Sequence, residues 1–482
     1  MPTHAILLIQ PPASFDNPSP CLDDKQFGLG ILANAAWLES AGFAVEGVHI
    51  PLMLHRGASP DEVMRFILDK EPLFTAIGLN WVHFSRGAVE TARRLRSLRP
   101  DMPIIVGGQH ASLFADEIAN DHADVLDGVI RGEAELPLLR IATALSTGRP
   151  IPEHVPGLHQ CGIAAEPPQV VEDLDSLPVY SYQSLRPAPL QPDVAALSTA
   201  RGACPFRCAW CVEPVIGQMQ GRAKLRFHTP DRIVAQIEAL AEEGIHRFTI
   251  QDNFFVGGDR RLVALADALV RRGIRPAHLN IFAHPDSYTK AGMAALAGCC
   301  ERGSIDYGVE TGSVRVAALN NRRLDPDLAV SRILDAVSAG LEPYTWWMVG
   351  LPGEDLDAVH ESEQLIERTM EAGGIPRWVS PLILFPQTEI HKNPKRFGIQ
   401  RRFTSFSDYA VFSDITLAEA VMFSDAIAHE SDDASRDEIT ARALRLRGFI
   451  VDKLPLLRKA YAGSARRLDL IDVEARIRQS FL

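Results

Sequence analysis

Three cysteines that crowd into one short stretch of an otherwise thiol-poor chain suggest the first chemistry. The run Arg201-Gly202-Ala203-Cys204-Pro205-Phe206-Arg207-Cys208-Ala209-Trp210-Cys211 places thiols at spacings of four and three residues, directly after an apolar strand-like segment, and so in a loop. Three thiolates can hold three irons of a [4Fe–4S] cluster and leave the fourth iron open to a ligand that must bind metal. A zinc site usually takes a fourth protein ligand, and the nearest candidate, His228, lies outside zinc-type spacing. A third reading, three unrelated core cysteines, fits poorly with a turn that contains Pro and Arg. A second thiol pair, Cys299-Cys300, ends a helical stretch. Adjacent thiols suit a soft ion or a thiophilic substrate such as trivalent arsenic, although burial as small hydrophobes is the plainer reading. Cys21 and Cys161 stand alone.

Two runs of alternating strand and helix patterns position these residues. In residues 1–146 apolar runs at Ala5–Ile9, Ala44–Ile50, Phe74–Leu79, Pro103–Val106 and Gly128–Ile130 read as strands with amphipathic helices between them. That alternation specifies a parallel sheet covered on both faces, which binds ligands beyond the carboxyl ends of its strands. Residues 147–192, proline-rich and without periodicity, read as a linker. Residues 193–390 hold six more units, with strands expected at 194–199, 246–251, 278–283, 304–309, 342–349 and 379–384, an open (β/α)6 barrel. Residues 391–482 read as a helical C-terminal region. The fold class is therefore α/β, a Rossmann-like domain followed by a partial barrel.

Composition narrows the function. Forty-nine basic against 61 acidic residues give a net charge of −12, which argues against nucleic acid or an anionic membrane as partner. No apolar run is long enough to cross a bilayer. The N-terminus has no basic region ahead of its apolar segment and does not read as a signal peptide. A cytoplasmic location is the expectation. Seven cysteines, an odd number, then read as ligands or reactive thiols rather than a disulfide framework.

The cysteine spacing, with Trp210 before the last thiol, resembles the radical S-adenosylmethionine (SAM) superfamily. The resemblance implies that Cys204, Cys208 and Cys211 bind a [4Fe–4S] cluster whose open iron is chelated by SAM. One electron, from a flavodoxin- or ferredoxin-type donor, then cleaves a sulfonium C–S bond. It also implies that Phe206 and Trp210 lie beside SAM. Asp252, in Thr249-Ile250-Gln251-Asp252-Asn253, would pair with the SAM ammonium. Glu310, in Tyr307-Gly308-Val309-Glu310-Thr311-Gly312-Ser313, would reach the ribose or carboxylate region. Gly350, in Trp347-Met348-Val349-Gly350-Leu351-Pro352-Gly353-Glu354, would let backbone approach the adenine. Relatives often carry an arginine where His284 stands here; His284, Cys299, Cys300 and Trp347 are candidate substrate contacts, each with a packing role as the plainer alternative.

The first 145 or so residues resemble the cobalamin-binding domain of B12-dependent radical SAM enzymes. The resemblance rests on Leu7–Pro12, Gly28-Leu29-Gly30, Ile105–Ser112 and Arg131-Gly132-Glu133-Ala134-Glu135. It implies cobalamin contacts at Gly28, Leu29, Gly107, Gly108, His110 and Glu133, with room for the nucleotide tail beside Gly107-Gly108. The Asp-x-His-x-x-Gly signature of an axial histidine is absent. The loop Asn80-Trp81-Val82-His83 would meet the lower cobalt face through Trp81 or Asn80, or ligate it through His83; packing of Trp81 between domains is the alternative. Loss of cobalamin binding with retention of the fold is a further one.

The resemblance implies a methylase acting on a small molecule. SAM would methylate cob(I)alamin, and a second SAM would supply the 5′-deoxyadenosyl radical that activates the substrate carbon. Rival readings are a cyclase or rearranging enzyme, transfer of the 3-amino-3-carboxypropyl group of SAM to a thiophilic acceptor, and a cobalamin- or redox-sensing protein.

Overall fold

The computed structural model describes residues 4–17, 28–186, 194–219, 224–252, 255, 257–415, 424–462 and 470–481. Cys21 and Asn253 lie outside the described residues. The first sheet contains β1 (Ile6–Gln10), β2 (Val45–His49), β3 (Phe74–Gly78), β4 (Ile104–Gly107), β5 (Gly128–Ile130), β6 (Leu158–His159) and β7 (Leu185–Arg186) in the order β6-β5-β4-β3-β1-β2-β7. Every pairing is parallel except β5 with β6. All five residues of β1 are buried, as a central parallel strand covered on both faces requires. Leu8 joins the core beneath helix α1 (Leu29–Ser40), and Leu7 and Ile9 join the opposite core beneath α2 (Ser85–Leu98). The chain passes from β1 outward to β2 and then back across to β3, so the switch point of the sheet lies between β1 and β3. The loops after those two strands border the crevice where such sheets take ligands.

The segment expected as a linker is partly built into this sheet. It supplies both edge strands, β6 and β7, so the exposed edges of the sheet are only two residues long.

The second sheet has β8 (Ala195–Leu197), β9 (Arg247–Ile250), β10 (His278–Ala283), β11 (Arg302–Glu310), β12 (Glu342–Val349) and β13 (Ile375–Pro381). They run parallel in strict chain order, with β8 and β13 at opposite ends. This is the open six-stranded barrel the periodicity predicts, with β13 beginning earlier than expected, directly after Gly373-Gly374 ends the preceding helix.

The expectation of a helical region from residue 391 needs correction. Among the described residues helices dominate only from Arg436 onward: Arg436–Asp452, Leu454–Tyr461 and Leu470–Phe481. Before them come a two-stranded antiparallel ribbon, Ile399–Arg401 with His429–Ser431, and a 3-10 helix at Phe406–Ser413. Phe403, Phe406, Tyr409 and Phe412 recur every third residue, and a 3-10 helix eclipses side chains at that interval. The rings therefore share one face, which packs on the first domain: Phe406 and Tyr409 lie 5.8 and 5.6 Å from the His110 ring, and Phe412 lies 5.7 Å from His83. Ser413 Oγ donates to the His83 carbonyl at 2.8 Å.

This aromatic strap keeps two imidazoles neutral. Burial pushes His83 down to about 4, and burial together with the neighbouring His83 pushes His110 down to about 3. An unfolded histidine takes its proton near pH ~6.5. Stability is thus full above about pH 6.5 and declines as pH falls towards the folded values, by roughly 1.4 kcal/mol per unit for each histidine. Urea denaturation at pH 7, 6 and 5 is expected to record that decline, and His110→Leu to lessen its slope by one histidine's share, since burial also pushes His228, His278 and His391 down to about 4. A His110→Leu profile as steep as the wild type would contradict this account.

Candidate cluster and cofactor site

The cysteine loop leaves β8 through a short antiparallel ribbon, Ala200–Arg201 paired with Arg226–Phe227, and is fixed at several points. Asp252, at the end of β9, accepts the Thr199 and Ala200 backbone N–H groups at 2.6 and 3.1 Å and the Thr199 hydroxyl. Arg261 lies 3.7 Å away. This carboxylate, expected on the SAM ammonium, holds the root of the cluster loop. Phe206 stacks on His284 with centroids 4.8 Å apart and planes 22° apart. The His284 ring is gripped on both sides, 2.5 Å from Asp286 Oδ1 and 3.1 Å from the Arg323 carbonyl oxygen. His284, a candidate substrate contact, therefore supports Phe206 and the loop. The Ala209 N–H donates to the Asn320 carbonyl at 3.0 Å, and its carbonyl accepts from Ile390 N–H at 3.2 Å.

Burial raises all three loop thiols, Cys204 to about 11 and Cys211 further, so metal must displace their protons. Among the described residues no three His, Cys, Asp or Glu side chains converge as a single-ion chelate would require. A cubane asks for something else, one thiolate on each of three irons, and three thiols on one short loop fit that demand. Arg322 lies beside the cysteine loop, although the sequence patterns do not single it out. Its Nη1 donates to Cys208 Sγ at 3.5 Å, Nη2 donates to the Gly308 carbonyl, and the guanidinium lies 5.8 Å from the centre of the Trp210 ring. It sits just beyond the Tyr307–Ser313 motif in a stretch, Asn320-Asn321-Arg322-Arg323, that offers no pattern of its own.

Glu310 closes β11 with φ +73°, a left-handed value rare outside glycine, after a register shift between Gly308 and Glu310. The turn folds its carboxylate over Gly308, where a Cβ would come within 2.6 Å of Glu310 Oε1. Burial raises the Glu310 carboxyl, and the Arg322 charge opposes that rise. Glu310, Arg322, Trp210 and the thiols thus share one mouth of the barrel.

Other expected site residues lie elsewhere. Gly350 is covered: its carbonyl accepts from His429 Nε2 at 2.8 Å, its N–H donates to Glu354 Oε1 at 2.9 Å, and a Cβ would come within 2.9 Å of Ile439. Its positive φ of 76° serves this packing. Trp347 is 1% exposed in the outer core, because side chains alternate along β12 and Trp346 takes the inward place. Cys299 and Cys300 are also core residues, their thiols donating to the Leu296 carbonyl at 3.3 and 3.1 Å. They do not reach the mouth.

In the first domain the switch-point crevice gathers Gln10, Gly28, Leu29, Asn80, Trp81 and Gly108. A Cβ at either Gly28 or Gly108 would come within 2.6 Å of the Asn80 amide group, and Gly108 has φ +119°. Both glycines thus make room for Asn80, while a Cβ at Gly107 would be in ordinary van der Waals contact with Ile130 at 3.6 Å. Trp81 is 55% exposed, so it does not pack between the domains. A bare indole at the crevice rim suits the face of a flat macrocycle, and the crevice fits cobalamin in that respect. His83 and His110 do not face it; both lie under the aromatic strap. Glu133 is also occupied: it accepts from Val171 N–H at 3.1 Å and from both Arg226 amino groups. Glu135 accepts from Arg201 Nη1 at 2.7 Å. These pairs tie the first domain to the two strands of the cluster-loop ribbon.

A cation hydrogen-bonded to a cluster ligand stabilises the reduced, more negative cluster. In anaerobically reconstituted protein Arg322→Gln is expected to disfavour reduction at least tenfold, about 59 mV for one electron, while Arg322→Lys keeps most of the effect. An EPR-monitored redox titration without added SAM measures it; equal potentials in wild type and Arg322→Gln would exclude the role.

Comparison with known proteins agrees with this arrangement. The family model of the radical SAM superfamily matches residues 201–366, and that of the B12 binding domain matches residues 22–142. An uncharacterized methyltransferase of Pyrococcus horikoshii is 24% identical over 285 residues, 56% of this chain and 59% of the relative. The anaerobic magnesium-protoporphyrin IX monomethyl ester cyclase of Rubrivivax gelatinosus is 24% identical over 201 residues, 39% of this chain and 35% of the relative. The chain thus spans about three fifths or less of these two curated relatives. The solved structure of the radical SAM methyltransferase TsrM from Kitasatospora setae, with cobalamin and a [4Fe-4S] cluster bound, superposes with a TM-score of 0.71 at 16% identity over 99% of both chains. At that identity the likeness concerns the fold. The chain thus carries a B12-binding domain followed by a radical SAM domain, and this pairing supports its place among the cobalamin-dependent radical SAM enzymes.

Proposed function

We propose that the protein is a cobalamin-dependent radical SAM methylase that places a methyl group on a carbon of a small molecule. The observation that carries this reading is the buried joint between the two domains. Arg226 with Glu133, and Arg201 with Glu135, bind the cluster-loop ribbon to the Arg131–Glu135 ridge of the first domain. A chemistry that used the cluster alone would not need its loop fastened to a corrinoid domain. When bound, the cluster and cobalamin supply electron transfer to SAM and methyl transfer. The chain supplies the three thiols, the Arg322 charge beside Cys208, and a contact from Gln109, next to Gly108, to Glu213 beyond Cys211 at 3.2 Å. Two of the relatives above are methyltransferases by name, which supports the same choice.

The cyclase reading keeps some support from the Rubrivivax relative. Transfer of the 3-amino-3-carboxypropyl group loses its one residue-level argument, because Cys299 and Cys300 are sealed in the core.

The nucleosides released from SAM separate these chemistries. A methylase using two SAM molecules per turnover is expected to release S-adenosylhomocysteine and 5′-deoxyadenosine in step with a product heavier by one methyl group. A cyclase would give 5′-deoxyadenosine without S-adenosylhomocysteine, and aminocarboxypropyl transfer would give methylthioadenosine. Replacing Cys204, Cys208 and Cys211 together by Ala is expected to remove the reconstituted iron and sulfide and all three nucleosides. Chromatography of the reduced enzyme with SAM and candidate acceptors reads the outcome, and methylthioadenosine as the main product would overturn the proposal.

A further inference from the structure

The inward faces of β10 to β13 carry large aromatic side chains. The outward residues of these strands are sealed, with Ile281, Ile305, Val309, Thr345 and Val379 each 0% exposed. On the inward face Phe282, Gly308, Trp346, Met348 and Trp378 are half-buried, while Asn280, Ser304 and Asp306 are buried. A close-packed barrel interior would bury them all alike. The half-buried positions therefore mark a chamber reached by solvent above a buried polar floor.

The wall of this chamber is aromatic and ordered. Gly308, Trp346 and Trp378 stand side by side across β11, β12 and β13, and Phe282, Asp306 and Tyr344 form the adjacent level away from the mouth. The Trp346 indole N–H donates to Asp306 Oδ1 at 2.7 Å, and Asn280 donates to Asp306 Oδ2 at 2.8 Å. Arg377 Nε lies 3.7 Å from the same carboxylate. Asp306 is therefore occupied and acts as an orienter of the Trp346 ring. Phe282 backs that ring at a centroid distance of 6.2 Å. Gly308 leaves the wall without a side chain next to Trp346.

We propose that this chamber receives the non-reacting body of the substrate and selects a flat, unsaturated ring system. The proposal rests on the reading that the enzyme acts on a small molecule, and it adds the class. Rigid rings with few rotamers pair with a flat ring at little entropic loss, and the polarizable Met348, towards the mouth, adapts to its edge. The chamber's one carboxylate at these levels is already satisfied, so a charged end of the substrate has no partner here and belongs at the mouth.

The adenine of SAM is the other flat ring that could stack on this wall, and the test separates the two. Cluster-loaded protein is titrated with indole and, as a saturated comparison, cyclohexanol by ligand-observed NMR, and SAM binding is measured separately by equilibrium dialysis. Wild type is expected to bind indole at least tenfold more tightly than cyclohexanol. Trp346→Leu is expected to lose at least tenfold in indole binding while keeping its SAM affinity and iron content, and Trp346→Phe to retain most of the indole binding. Trp347→Phe, on the outward face of the same strand, reports on folding and should leave indole binding unchanged. No preference for indole in wild type, an unchanged affinity in Trp346→Leu, or an equal loss of SAM and indole binding would each overturn the proposal. None of these measurements uses turnover, so the proposal can fail while the methylase reading stands, and the reverse.

Discussion

The structure depends on one buried electrostatic joint. The side chains of Glu133 and Arg226 are 5% and 7% exposed where they pair, and Arg201 pairs beside them with Glu135. Such a pair contributes little net stability, since desolvation offsets most of its Coulomb gain, yet breaking it by removing one partner costs about 3–5 kcal/mol. Its value is therefore geometric. The Glu133–Glu135 ridge follows β5 of the first sheet, and the two arginines sit in paired strands at the root of the cysteine loop. Neither domain can tilt without stripping a charge of its partner. The aromatic strap adds a second attachment, mostly apolar, by packing Phe406, Tyr409 and Phe412 against the imidazoles of the first domain. One joint sets the register of the domains and the other seals them.

The same logic explains why several polar residues singled out in the sequence hold protein rather than ligand. A loop that must present three thiols to a cluster has unsatisfied backbone groups and no regular structure to satisfy them. Asp252 meets those donors, His284 carries the Phe206 ring, and Glu133 anchors the ribbon. Each has the residue type that ligand binding would also require, because carboxylates and imidazoles serve backbone donors, arginines and cofactors by the same hydrogen-bond chemistry. Sequence position brings these side chains to the correct end of the barrel. Only the fold assigns them to the support of the site.

What is legible in the sequence follows a physical division. Strand and helix alternation is a local, periodic signal, so β1–β5 and β8–β13 and their order along the chain can be read from the residue pattern, whereas the two-residue strands β6 and β7 lie in a stretch without periodicity and cannot. The cysteine loop is legible because three thiols at short spacing are rare without a common purpose. The C-terminal region departs from the helical expectation because four aromatic residues there recur with a period of three, a signal of 3-10 rather than α-helix. Arg322 is invisible for the opposite reason: a lone arginine carries no pattern, and its contact with Cys208 spans 114 residues of chain. Trp346 and Trp347 show the limit most sharply. Alternation requires that one faces inward and the other outward, but their shared identity hides which, and the strand register decides it.

That register also settles how the site divides its work. Along β11 the inward positions run Ser304, Asp306, Gly308 and Glu310, from a satisfied polar floor to a strained carboxylate at the mouth. The side-chain-free step at Gly308 separates the two carboxylates. Asp306 is fixed by Trp346 and Asn280, so it is rigid and chemically quiet. Glu310 lies beside Arg322 and the thiols, in a backbone conformation that an ordinary turn would not retain. Strain of this kind persists only where surrounding structure over-determines it, and here Arg322 supplies that restraint by donating to the Gly308 carbonyl while touching Cys208. A single arginine therefore couples the shape of the barrel mouth to the charge on the cluster ligands, so that any change which moves one must move the other.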